Sequence, residues 1–378
     1  MKILLLSPAH PLRGGIAALS ERLAQELQVQ GHEVVIYSFS LQYPGFLFPG
    51  KTQYTTDPAP ADLTIKTRLN SVNPLNWMAV GRELAREQPD QVMVRFWLPF
   101  MGPALGTTLR IMRWFSRKKI RVTALVDNIV PHEKRFGDRP FAQYFVHACD
   151  DFVVMSRSVG EEIRLFTPTK PVRYAPHPIY DHYGEALDKT LARKQLHIPA
   201  QVPLVLFFGF IRAYKGLDLL LQALATPLLR DAKQPVHLLV AGECYDDWAA
   251  YQAIIEELNL AAHLHLHTDF IPADQVRVFF SAADLVVQPY KSATQSGISQ
   301  IAYHFDKPMV VTNVGGLPEI VTNGVSGYVV PPAPEAIAGA IHDFFANDQA
   351  ATFQAGVKSE KQRFSWSHFL DKLLVFPA

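Results

Sequence analysis

The sequence predicts an α/β protein of two Rossmann-like, doubly wound domains facing a central cleft. Three observations carry this expectation. Apolar strand-like runs alternate with segments of helical period along most of the chain. The alternation weakens at about residues 166 to 200, where "FTPTKPVRYAPHPIYDHYG" is rich in proline, and then restarts. At 378 residues the chain is too long for one ordinary core, given roughly 100 to 200 residues per domain.

The first half opens as strand, loop, helix, strand: "KILLLSP", "AHPLRGG", "IAALSERLAQELQVQG" and "HEVVIYSF". Gly31 stands where a helix C-terminal glycine belongs. Further on, "QVMVRFW", "IRVTALVDN" and "DDFVVMS" have the continuous apolar character of strands covered on both faces, with "LGTTLRIMRWFSRK" a helix between the first two. The proline-rich stretch is expected to be the inter-domain linker. Beyond it, "VPLVLFFGF", "GLDLLLQALATPLL", "VHLLVAGE", "WAAYQAIIEELNL", "HLHLHTDF", "ADQVRVFFSAA", "DLVVQPY", "PMVVTN" and "GYVVPP" repeat the pattern. In open α/β sheets ligands bind beyond the C-terminal strand ends, so the loops after these strands should carry the chemistry.

An apolar fraction of 48% with 19% charged residues describes a globular protein with sizeable cores rather than a disordered chain. The N-terminal apolar run is too short for a signal-peptide core, and no run approaches the ~20 residues of a membrane span. Cys149 and Cys244 are isolated, which favours a reducing cytoplasm over a disulfide scaffold. The net charge of +1 hides an asymmetry: residues 1–175 hold 22 Lys and Arg against 15 Asp and Glu, and the rest hold 14 against 20. The basic half is expected to meet something anionic, such as a membrane surface, although solvated charge alone also explains the split. No aromatic-basic motif argues for nucleic acid.

The most informative stretch is "FFGFIRAYKGLDLLLQAL". A strand ends at Gly209, a short loop supplies Arg212 and Lys215, and Gly216 opens a helix, so two cations converge on a helix start. Free amides, the positive dipole end and two cations suit a diphosphate; the competing reading is a pair of solvated loop charges. In "LRGGIAAL", Gly14 and Gly15 would let a phosphate approach the backbone, but a tight turn needs glycine for steric reasons as often. The G-x-G-x-x-G pattern is absent, which argues against a nicotinamide or flavin cofactor. "VDNIVPHEKRF" places Asp127, Asn128, His132 and Glu133 just past a strand, either to orient a hydroxylated ligand or as turn chemistry before a helix. "HLHLHT" aligns His263, His265 and His267, but without a carboxylate or Cys partner it is expected to be a solvated strand face, and no metal is expected. "LRIMRWFSRKKIR", residues 109 to 121, is basic and aromatic, either an interfacial helix or an apolar stripe with a solvated basic face.

Taken together, the glycine turn after the first strand, the G-x-x-R-x-x-K-G loop and "KPMVVTNVGGLPEIVTNGVSGYVVPP" resemble the family 4 glycosyltransferases of the GT-B fold over nearly the whole chain. The resemblance implies retaining transfer of a sugar from a UDP- or GDP-sugar, usually without metal or other cofactor, to a glycan, lipid-linked or small-molecule acceptor. It implies an acceptor-side domain of residues 1–175, joined by a last helix at about 360–378, and a donor domain of residues 176–359. Residues 41 to 75 are expected to form acceptor-side loops. Arg212 and Lys215 would neutralise the diphosphate, Gly14 and Gly15 would lie against it from the other domain, and Gly209, Thr294 and Glu319 would join the donor-binding set. Asp127 or His132 would face the anomeric carbon. A peripheral membrane contact through the basic 110–121 segment is a further expectation.

There are two departures from the family: its usual histidine after the fourth-strand region is replaced by Asp127, with His132 five residues on, and its pair of acids is lost. The family's Glu-x7-Glu motif is replaced by "SATQSGISQIAYHFDKP", which holds no glutamate. Gln295, Ser296 and Gln300 are expected to bind sugar hydroxyls through neutral hydrogen bonds, and the amides of Gly297 and Ile298 to meet phosphate. The alternatives are a non-catalytic sugar-nucleotide or glycan-binding subunit and, less favoured, a GT-B epimerase, whose chemistry needs carboxylates in the site.

Overall fold

The computed structural model describes residues 1–45, 52–56, 58–130 and 136–375. The chain divides into two compact units, one of Met1–Pro176 with Trp366–Ala378 and one of His177–Ser365.

The first unit is built on seven parallel strands: β1 (Lys2–Leu6), β2 (Glu33–Leu41), β3 (Thr64–Asn70), β4 (Gln91–Phe96), β5 (Arg121–Val126), β6 (Asp151–Val154) and β7 (Val172–Tyr174). Their order is β3-β2-β1-β4-β5-β6-β7, so the sheet reverses direction between β1 and β4. Helices cover both faces, which is why β1, β4 and β5 are almost uniformly apolar and buried. Local chemistry sets the helix ends. Gly31 takes φ 82° just past Gly15–Val29, and the Asn73 side chain accepts from the amides of Leu75 and Asn76 to start Pro74–Arg86.

The second unit repeats the plan with six parallel strands: β8 (Leu204–Phe208), β9 (His237–Ala241), β10 (Leu264–His267), β11 (Leu285–Gln288), β12 (Met309–Thr312) and β13 (Gly327–Val330). Their order is β10-β9-β8-β11-β12-β13, with the reversal between β8 and β11. Val205, Phe207, Leu238, Val240, Val287 and Val310 form its core with the helices around them.

Three expectations need correction. Residues 166–200 are not a plain linker: Val172–Tyr174 closes the first sheet, and Lys189–Gln195 is a helix capped by Asp188. From that helix Arg193, 1% exposed, bonds to the carbonyls of Ala200, Val202 and Ala282 and to the Asp284 carboxylate. The stretch expected as acceptor-side loops contains β3, hidden because this edge strand is mostly charged and polar. The basic helix stops at Phe115, where Ser116 turns extended and its Oγ bonds to the Lys118 carbonyl, so Arg117, Lys118 and Lys119 lie beyond it.

The helix Trp366–Leu373 belongs to the first unit. Trp366, Phe369, Leu370 and Leu373 are buried, Arg22 lies 5.3 Å from the Trp366 ring, and Arg173 on β7 donates to the carbonyls of Leu373 and Val375. A cation at those carbonyls complements the negative end of the helix.

Candidate functional site

In the second unit the loops after β8, β11 and β12 meet at the sheet's reversal. After β8, Gly209 takes φ 95°, and Ala213–Lys215 form one tight turn ended by Gly216 at φ 69°. Any Cβ at Gly216 would overlap the Pro289 carbonyl, so the loop after β11 rests on this glycine. The Lys291 amide bonds to the Tyr214 carbonyl at 2.7 Å, and Lys291 pairs with Asp218 at 2.6 Å. After β12, Gly315 at φ 51° lies against the Ala293 carbonyl, and Thr312 Oγ1 donates to the Tyr290 carbonyl.

Lys215 is the chemical centre of this arrangement. It is 8% exposed, and a Cβ built on Gly209 would lie 3.1 Å from both its Nζ and the Ile298 side chain. Burial pushes its pKa down to about 8, with Arg212 adding a smaller repulsion. Its side chain has no hydrogen bond or ion pair among the described residues; the Tyr290 ring centre is 5.6 Å away. Lys307 is a useful contrast. Burial lowers its pKa to about 8 as well, but its ammonium donates to the carbonyls of Ala283 and Ser281. Lys307 is satisfied by the fold, whereas Lys215 is a buried cation without an acceptor among the described residues.

The helix Gly297–His304 starts beside Lys215, and the Ser296 side chain does not cap it; its Oγ sits 3.3 Å from the Tyr290 hydroxyl. Thr294 and Gln295 precede it, both partly buried. Gln300 is fully buried and neither of its amide atoms has a hydrogen-bond partner among the described residues. An unpaired buried amide costs about 1–3 kcal/mol, so Gln300 is a polar group held ready at a cost. Glu319 lies in the short helix Leu317–Ile320, where its carbonyl accepts from Arg363.

In the first unit Gly14, at φ 111°, and Gly15 are exposed at the start of Gly15–Val29, a helix with no side-chain cap and no acid in its first turn. Asp127 follows β5, and both of its oxygens accept from Arg95, from Nε and Nη2 at 2.7 Å each. Bonded in this way, Asp127 is a partner of Arg95 rather than a loose base. Asp127→Ala is expected to cost about 3–5 kcal/mol in urea unfolding, because it breaks a buried ion pair and leaves its guanidinium behind. The double change Asp127→Leu with Arg95→Met should recover most of that loss. His132 and Glu133 lie outside the described residues.

The histidines are not a solvated face. His263 precedes β10, His265 and His267 are half-buried, and His237 Nδ1 lies 3.1 Å from His265 Nε2. Burial first, then the neighbouring imidazoles, pushes His237 down to about 4. Among the described residues no group of three or more His, Cys, Asp or Glu could hold a metal.

Family comparisons match both units. The model described as Glycosyltransferase Family 4 matches residues 13–182, and that described as Glycosyl transferases group 1 matches residues 188–359. Both matched models are of glycosyltransferases, consistent with a family 4 assignment. A relative, the D-inositol 3-phosphate glycosyltransferase of Segniliparus rotundus, is 35% identical over 194 residues, 50% of this chain and 42% of that one. The chain spans about half the length of the curated relatives it matches. Among solved structures, the sucrose-phosphate synthase of Thermosynechococcus elongatus superposes with a TM-score of 0.75 at 20% identity, over 98% of this chain and 97% of that one. HepE from Anabaena, solved in complex with UDP-glucose, gives 0.70 at 18% identity, over 99% and 98%.

Some residues around these loops escape a sequence reading. Tyr180, from the proline-rich stretch, rests on Gly297, where a Cβ would lie 2.8 Å from its ring. Glu243, 5% exposed, is a carboxylate just past the end of β9. Its signal was visible in "VAGE", since an acid at the end of the second strand is where Rossmann-type sheets address a ribose. The basic 110–121 segment is largely engaged: Arg110 donates to the Tyr144 carbonyl, Arg113 pairs with Asp150, Lys118 with Asp90 and Arg121 with Asp151.

Proposed function

We propose that this chain transfers a sugar from a nucleotide-diphosphate donor, UDP- or GDP-linked, to a glycan, lipid-linked or small-molecule acceptor, with retention of anomeric configuration. The observation that carries the reading is Lys215, a buried ammonium without an anionic partner among the described residues, beside Gly209 and an uncapped helix start. A diphosphate supplies the missing charge, and Arg212 and the amides of Gly297 and Ile298 add to the attraction. Near neutral pH a lysine of pKa about 8 is mostly protonated, as a leaving diphosphate requires.

In the proposed reaction the acceptor hydroxyl forms the new glycosidic bond on the face from which the diphosphate departs, and its proton passes to the departing phosphate oxygen. That route needs no protein carboxylate, so the loss of the family's glutamates leaves it intact. Gln295, Ser296, Gln300 and Thr294 are assigned to the donor's hydroxyls, Glu319 to the donor side, and Gly14 and Gly15 to a phosphate contact. Asp127, through its bond to Arg95, is assigned to shaping the end of β5.

Cellular placement is part of the same proposal. The unpaired thiols Cys149 and Cys244 support a reducing cytoplasm, and no helix among the described residues is long and apolar enough to cross a membrane. Trp114, 80% exposed, and the half-exposed Phe115 support a peripheral membrane contact, while the pairing of Arg113 and Lys118 removes much of the charge it would use.

Incubation with UDP- and GDP-sugars and a range of glycan and lipid-linked acceptors is expected to release nucleoside diphosphate and to give a product with the donor's configuration by anomer-resolving NMR. Release no greater than that of heat-killed protein would return the chain to the alternative of a binding subunit.

A further inference from the structure

We propose that Phe210 and Tyr245 form a stacking platform for the base of the nucleotide donor, a contact that rests on the reading of the second unit as a nucleotide-diphosphate site. Phe210 follows Gly209 directly and Tyr245 lies just beyond β9. Their rings are stacked, with centroids 4.6 Å apart and planes 22° from parallel. The pair is held by backbone rather than by chance contact. Ile211 donates to the Glu243 carbonyl at 2.9 Å, Tyr245 donates back to Ile211 at 3.0 Å, and a Cβ on Gly242 would overlap the Gly209 carbonyl. Two glycines at positive φ, 95° and 140°, thus bring the loops close enough for the rings to meet.

Phe210 keeps 37% of its surface exposed, although a phenylalanine gains by burial. The strand order decides which part of a donor can use that surface. The phosphate position lies where the loops after β8 and β11 meet, at Gly209, Lys215 and Ile298. The platform lies where the loops after β8 and β9 meet, the next place along the sheet. Neighbouring strands are about 4.8 Å apart, so a group reaching the platform is separated from the phosphates by little more than a ribose. On the opposite side the loop after β12 closes on the loop after β11, with Gly315 against the Ala293 carbonyl. The base is the flat, π-bearing part of a nucleotide sugar, and aromatic stacking suits it whichever base it is.

The test is calorimetric titration of the full chain and of Phe210→Ala and Phe210→Leu with UDP, GDP and ADP, and with pyrophosphate as a probe that has no base. Phe210→Leu keeps apolar bulk and removes the π face, so it reads the same contact should the alanine variant fail to fold. Both changes are expected to weaken the tightest nucleoside diphosphate roughly tenfold and to leave pyrophosphate unaffected, while Phe210→Trp restores binding. Equal nucleoside diphosphate affinity in the leucine variant, or an equal loss for pyrophosphate, would overturn the platform and leave the phosphate site standing. An unaltered chain that binds none of the four would overturn the donor-site reading and the platform with it.

Discussion

Lys215→Met should abolish nucleoside diphosphate binding and at the same time raise the melting temperature of the ligand-free protein. The two effects have one cause. The ordinary lysine pKa of 10.5 falls to about 8 because Lys215 is buried, and a shift of that size corresponds to about 3 kcal/mol of penalty for the charged form. The unfolded chain holds this proton up to about 10.5 and the folded one loses it near 8. Between those values the unfolded state binds more protons, so stability rises with pH through the window, and below pH 8 the whole penalty is present. Methionine fills the space without the charge and removes that penalty. A bound diphosphate restores the charged form, so binding at pH 9 should take up a proton, visible as a dependence of the calorimetric enthalpy on buffer. Unchanged binding of UDP and GDP by the double variant Lys215→Ala with Arg212→Ala would sink the assignment.

Gly315→Ala should unfold the loop after β11 without touching a charged group. At φ 51° an alanine is strained by about 1–2 kcal/mol, and its Cβ would overlap the carbonyl of Ala293, which is backbone and has nowhere to turn. A loss of at least about 3 kcal/mol in urea unfolding, with donor binding lost, is the expected result. Gly339→Ala is the control. It lies inside the helix Pro334–Ala346 with nothing within 4 Å of its Cβ, and should stabilise the protein by about 0.5–1 kcal/mol. A Gly315→Ala variant as stable as the control would show that the loop can shift aside.

These expectations also mark what could be read from residues alone. The buried strands were legible because parallel sheets covered on both faces demand unbroken apolar runs, and "LVLFF", "HLLVA" and "MVVT" supply them. The anion loop was legible because Arg212, Lys215 and Gly216 are close in sequence. What escaped depends on distant partners or on exposed edges. β3 is mostly polar and charged because it ends a sheet, and β7 has only three residues. The pairing of Arg95 with Asp127 joins residues 32 apart, and nothing near either one announces it. Arg193 resembles a surface charge in "LARKQ" until Asp284 and three carbonyls close around it.

The return of the helix Trp366–Leu373 to the first unit has a consequence for biosynthesis. The ribosome makes β1 to β7 first, then the whole of His177–Ser365, and only afterwards the segment that fills the gap beside β7. The second unit is therefore complete in sequence, and free to fold, before the first one is. Until translation reaches Val375, Arg173 lacks the carbonyls of Leu373 and Val375, and the apolar surface meant for Phe369 and Leu370 stays open. A released chain truncated between 365 and 375 would carry a complete second unit and an incomplete first one, a form that chaperones and proteases would meet first.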